Sequence, residues 1–219
     1  MMRKIMILGT GMLLMITGIL YAQQKRISIE ANYGLQRNFF VDDYNEAPNS
    51  FSDINFYKKS VVGKIGGFEI KYRIGKRASL GFGYAASSNT RIISYSGVVN
   101  GVNIGIVDFS IAHKNQFYQL GYEFGLGRRK SAFLFETGLF YVRPSQQEVE
   151  ISTFNRRLLF DERNFNNSRL EEGGAFIGIS FRKKIDTRFY LGVRSRFYYL
   201  ISTNSPEALT LTPVLSYNF

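Results

Sequence analysis

The last twelve residues, Ala208-Leu-Thr-Leu-Thr-Pro-Val-Leu-Ser-Tyr-Asn-Phe219, decide how the chain is read. Leu209, Leu211, Leu215, Tyr217 and Phe219 fall on one face of an extended segment. Thr210, Thr212, Val214, Ser216 and Asn218 fall on the other, the period of two expected of a β-strand with one apolar side. A soluble domain seldom ends by turning Leu, Tyr and Phe outward. A strand whose apolar side meets lipid does, with its aromatic residues at the lipid–water boundary.

Working back from this strand, the same alternation recurs over 26–38, 61–74, 78–91, 109–126, 132–143, 171–183 and 188–202. Tyr118, Leu120, Tyr122, Phe124 and Leu126 alternate with Phe117, Gln119, Gly121, Glu123 and Gly125, for example. Long connections at 39–60, 92–108 and 144–168 alternate with short basic turns such as Gly75-Lys76-Arg77 and Gly127-Arg128-Arg129-Lys130. The Val-Asn-Gly-Val run within 92–108 reads as a hairpin tip, so strands there are expected to continue past the bilayer. The pattern predicts an all-β fold, an eight-stranded antiparallel up-and-down transmembrane β-barrel with both termini on the short-turn side. Closure follows because a sheet edge facing lipid leaves backbone groups unpaired.

A soluble barrel of the lipocalin type has the same period with its apolar face inward. Glycines separate the two readings. Gly34, Gly67, Gly81, Gly121, Gly138 and Gly178 all fall on the polar face. Glycine weakens a strand unless something needs the room beside it, which suits a narrow lumen filled by long side chains and not a solvated surface.

Residues 1–22 are expected to be a signal peptide. Arg3 and Lys4 precede an uncharged run from Ile5 to Leu20, and Ala22 precedes Gln23-Gln24 as a cleavage site. The alternative is a membrane-spanning helix, near the lower length limit and weakened by Gly9, Gly11 and Gly18. The remaining 23–219 form one barrel domain. Without Arg3 and Lys4 the chain keeps 26 basic residues against 17 acidic, a net charge of +9. In an exported barrel this excess points to anionic lipid headgroups or lipopolysaccharide phosphates rather than nucleic acid. The absence of cysteine removes disulfides and thiolate metal sites, and no cofactor motif is present. An aromatic share of 16% suits interfacial girdles.

Strand parity turns Glu30, Glu69, Glu123 and Glu136 inward at similar depth, together with Lys71, Arg73, Arg182, Arg194 and Arg196. An eight-stranded lumen is only wide enough for side chains, so these charges are expected to form a structural ion-pair plug; the other reading is a proton or ion path. Glu123 and Glu136 are expected to lie side by side, with Arg194 and Arg196 bridging them. The single histidine, His113, is expected inward at the long-loop mouth, near Asp108 and Ser110 in sequence. Some small barrels that this chain resembles are lipid-modifying enzymes with a His, a Ser and a carboxylate near the outer rim. Sequence proximity does not establish such a triad, and the reading here is a rim histidine without catalytic residues.

The Tyr-Ala-Gln-Gln ending of the leader, the eight strands and the terminal Leu-Ser-Tyr-Asn-Phe are similar to the PorT-like family of small outer-membrane barrels. Leu215, Tyr217 and Phe219 resemble the C-terminal signal read by the barrel-assembly machinery. The resemblance implies an integral protein of a Gram-negative outer membrane, sometimes tied to secretion or surface contacts, with no catalytic residues to carry over. The chain is expected to be a non-enzymatic monomer that meets a secretion or surface partner, or lipopolysaccharide, through 39–60, 92–108 and 144–168. A lipid hydrolase or acyltransferase and a small channel are the alternatives.

Overall fold

Ten strands take up nearly all of the residues that the computed structural model describes, namely 26–39, 57–58, 62–99, 102–126, 131–154, 157–166 and 171–219. They are β1 (Ile27–Asn38), β2 (Tyr57–Lys58), β3 (Val62–Arg73), β4 (Ala78–Val99), β5 (Val102–Gly125), β6 (Ser131–Phe154), β7 (Arg157–Asn166), β8 (Glu172–Lys184), β9 (Phe189–Leu200) and β10 (Ser205–Asn218). The expected leader, 1–22, and most of the connection 39–60 lie outside the described residues.

Eight strands form the wall in the order β1-β3-β4-β5-β6-β8-β9-β10, each antiparallel to the next. The C-terminal strand closes the ring against the first, from Ser28 opposite Asn218 to Asn38 opposite Ala208. No wall strand is left with an open edge, as a lipid-solvated sheet requires.

Two of the expected long connections are strand. β4 and β5 stay paired to Val99 opposite Val102, and β6 and β7 pair from Ser145 opposite Asn166 to Phe154 opposite Arg157. The expectation of a continuing hairpin at 92–108 is borne out, whereas the loop reading of 144–168 is corrected. Wall pairing ends at Lys64 opposite Ser88 and at Val142 opposite Glu172. Beyond it each hairpin runs on for about ten residues, or about 30 Å. The correction has a physical cause. Glu148 lies opposite Arg163 and Glu150 opposite Asp161, and a paired ribbon this rich in charge has the composition of a loop.

The outer face of the wall is apolar. Leu120 is 57% exposed and Ile179 64%. Phe68, Tyr84, Tyr118 and Tyr141 stand opposite one another on four successive strands, with neighbouring ring centroids 6.0, 5.4 and 6.3 Å apart. A second group lies at the short-turn end. Phe133 meets Phe181 at 5.0 Å, and Tyr217 lies between Phe189 and Phe219, 5.0 Å from each. Leu215, Tyr217 and Phe219 thus belong to the outward face, as their parity predicts. A continuous apolar exterior of this kind needs lipid as its solvent.

A charge placed mid-height on that face tests the point. Ile179→Arg should lower the unfolding free energy in lipid vesicles by about 2–4 kcal/mol. Urea titration checks it, and a change near zero would put Ile179 in water.

Candidate functional site: a filled lumen

The inward face of the wall carries three stacked layers. The lowest, nearest the short turns, is ionic. Register places Glu30 opposite Glu69 on β1 and β3, and Glu123 opposite Glu136 on β5 and β6. Two like-charged pairs set directly across from each other repel unless cations stand between them. Four cations do so: Lys71 from β3, Arg182 from β8, and Arg194 and Arg196 from β9.

Each carboxylate meets at least two of them. Lys71 Nζ lies 2.8 Å from Glu30, 2.6 Å from Glu123 and 3.5 Å from Glu69. Arg182 contacts Glu123, lies 3.4 Å from Glu136, and sits 2.5 Å from Glu30 Oε1 as an ion contact without hydrogen-bond alignment. Arg194 reaches Glu69 at 2.9 Å and Glu30 at 3.4 Å. Arg196 Nη2 lies 2.6 Å from Glu136 Oε2 and donates to Glu69 Oε2 at 3.0 Å. The four acids and four bases cancel, and all eight are buried.

The inward set and its common depth are therefore as the sequence predicts, with two corrections. Arg73 has the inward parity, but it ends β3 at the rim and is exposed, outside the layer. Arg194 does not bridge Glu123 and Glu136. It serves the β1–β3 pair, while Arg182 and Lys71 take Glu123. The wall explains this: β8 stands between β9 and β5, so Arg182 reaches Glu123 first.

Glycine makes room for the layer. A Cβ on Gly178 would lie 2.8 Å from Arg196 Cγ, and one on Gly138 would lie 2.7 Å from Phe176 Cζ. Phe176 belongs to the middle layer with Phe117, Phe140 and Tyr198. Tyr198 is the hub, its ring 5.2 Å from Phe117, 5.2 Å from Phe140 and 5.7 Å from Phe176. The layers lock together where the Arg196 guanidinium lies 4.8 Å from the Phe176 ring centre, a cation–π distance. The cavity between them, beside Gly81 and Gly121, has room for about one water molecule.

The third layer, towards the hairpins, is polar. Glu207 is fully buried and accepts hydrogen bonds from Asn115 Nδ2 at 2.8 Å and Asn38 Nδ2 at 3.2 Å, tying β10 to β5 and β1. His113 is buried at this level, opposite Asn89 on one side and Gln146 on the other. Its inward position is as expected. Ser110, three residues away on the same strand, has the opposite parity and is exposed, so it does not share the lumen with His113. The side chain of Asp108 lies outside the described residues.

Parity turns Gln119 inward, but sequence reasoning gave it no partner and named neither Ser180 nor Glu207. Gln119 accepts from Arg196 at 2.6 Å and Ser180 donates to Glu136 at 3.0 Å. Ser180 sits two positions from Arg182, so parity puts it on the luminal face as it does Gln119, but parity names no partner for either. Glu207 was hidden by the register shift between Pro206 and Ala208, which breaks the alternation where a connection was expected.

No protein-family model matches this chain, and no curated protein sequence does. Solved barrels share its shape. Neisserial surface protein A is 10% identical with a TM-score of 0.49, over 88% of this chain and 96% of that one. OprG from Pseudomonas aeruginosa is 8% identical at 0.48, over 90% and 98%. Ail of Yersinia pestis is 11% identical at 0.47, over 90% and 99%. At such values the likeness is one of barrel shape and carries nothing about activity.

The ionic layer makes a measurable prediction. Arg196→Met strips Glu136 and Glu69 of a shared partner and should cost about 3–5 kcal/mol. Pairing it with Glu136→Leu should cost clearly less than the two single changes added together. Pairing it with Glu207→Gln, in the other polar layer, should be additive within about 0.5 kcal/mol. Urea unfolding in vesicles measures all three, and additivity of the Glu136 pair would mean that the two side chains do not meet.

Proposed function

We propose that this protein is an integral outer-membrane barrel that acts as a non-enzymatic scaffold, presenting its long hairpins to a surface partner or to lipopolysaccharide. One observation carries the reading: among the described residues, the luminal side chains are buried in a neutralised ionic layer, packed aromatic rings and a bonded carboxylate–amide layer. Packing of this kind leaves no open route for a solute past these layers. The parts that reach beyond the membrane are the β4–β5 and β6–β7 hairpins. The terminal strand and the leader expected at 1–22 support placing the chain with the PorT-like barrels, with Leu215, Tyr217 and Phe219 as the signal for the assembly machinery. His113 serves the polar layer and not a reaction.

Two measurements test this. Refolded protein in planar bilayers should give no steady conductance, and an open current from heat-modifiable protein would overturn the closed lumen. In cells, shortening the β4–β5 hairpin by removing 95–106 should leave the heat-modifiable barrel in the outer membrane and abolish cross-linking to its surface partner. Cross-links that survive the deletion would remove this hairpin from the contact. Lipid A mass spectra that change when the protein is removed would overturn the non-enzymatic reading.

A further inference from the structure

Charge is not spread evenly along the barrel axis. The ionic layer sums to zero. By sequence, everything on the hairpin side of the aromatic layer carries 11 Lys and Arg against 12 Asp and Glu. The excess is left at the short-turn rim. Arg26, the turn Arg73 to Arg77 and the turn Lys183 to Arg188 supply seven exposed cations against Asp186. The connection from Gly125 to Ser131 adds Arg128, Arg129 and Lys130 by sequence. This is the opposite end from the hairpins, so a lipopolysaccharide contact at the hairpins rests on shape and local pairing and not on the net basic excess.

The cations also have a direction. Arg26 Nη1 donates to the Tyr72 hydroxyl at 3.3 Å, and Arg188 Nη1 donates to the Tyr217 hydroxyl at 3.0 Å. Both tyrosines belong to the outward face. Lys183 leaves β8 on that face, two residues beyond the exposed Phe181. These three cations sit on an arc of the outer perimeter from β8 through β9, β10 and β1 to β3, level with aromatic residues that mark the lipid–water boundary. A soluble partner docking on the barrel end would want its cations pointing along the axis; these are held against the side. An arginine that spends one N–H on a tyrosine keeps four donors in a planar fork, the geometry that takes a phosphate.

We propose that this arc is a binding surface for anionic glycerophospholipid headgroups of the leaflet that borders the short turns. The proposal rests on the membrane reading above. Phosphate diesters along the arc accept from Arg26, Lys183 and Arg188, while their acyl chains cover Phe133, Phe181 and Phe189. Basic groups near an anionic leaflet add to one another in attraction, and salt screens them.

Electron spin resonance with spin-labelled phosphatidylglycerol and phosphatidylcholine, on the full barrel in phosphatidylcholine vesicles, tests it. Phosphatidylglycerol should associate about two- to fivefold more strongly at low salt, a preference that vanishes near about 0.5 M sodium chloride. The triple variant Arg26→Gln, Lys183→Gln, Arg188→Gln should lose the preference. Lys114→Gln, an exposed cation on the hairpin side, should keep it. Heat-modifiable mobility reports separately on insertion, so failure of a barrel to insert strikes the membrane reading alone. Equal association of the two probes with an inserted wild-type barrel overturns the proposal. So does a triple variant that keeps its preference, or a soluble acidic protein that binds the rim where no lipid preference exists.

Discussion

Eight ionised side chains buried in one layer of the lumen must neutralise one another, and much of the structure depends on that. An isolated charge taken out of water costs several kcal/mol even after relaxation, so the layer tolerates neither a missing cation nor a spare one. Glu30 opposite Glu69 and Glu123 opposite Glu136 would repel in any two-stranded ribbon. They become compatible only when the wall has curled far enough to bring β8 and β9 around to them. The charges therefore favour the closed ring over an open sheet, on the inside, for the same geometry that unpaired backbone favours on the outside.

The glycines and rings follow from that arrangement. Arginine and glutamate side chains are too long to lie side by side in an eight-stranded lumen unless neighbouring positions give up their side chains. Gly178 yields to Arg196 and Gly138 to Phe176. The aromatic layer then keeps water from the hairpin side away from the ion pairs, which strengthens them. Tyr198 belongs to both regimes: its ring packs on Phe117 and Phe140, and its hydroxyl donates to Gln119 at 3.3 Å.

How much of this was legible depended on whether a residue had one wet side or two. In the wall, lipid outside and packed lumen inside impose strict alternation, so Leu120 and Gln119, or Ile179 and Ser180, declare their faces from sequence. The inward charges were found in the same way. Depth is also written in parity and strand length, but the pairing of particular charges is not. Which arginine meets which glutamate depends on the curvature of the wall and on the neighbour that intervenes, so Arg182 took the role expected of Arg194. Beyond the wall the constraint disappears. Glu148, Glu150, Asp161 and Arg163 lie in paired strands, and composition cannot distinguish a charged ribbon from a charged loop. Glu207 was lost to a single register shift.

The same physics orders charge along the axis. Inside the ionic layer each charge must be cancelled within a few ångströms, so that layer holds no net charge to give away. At the two ends water screens the charges, and an imbalance there is cheap. The basic excess has settled at one end only, the one with the shortest connections and with tyrosines that fix the direction of Arg26 and Arg188. The hairpin end, with acids and bases interleaved, has no field of one sign, so recognition there must come from shape and local pairing. The short-turn rim has such a field and little shape, which suits a fluid partner that needs no fixed contour.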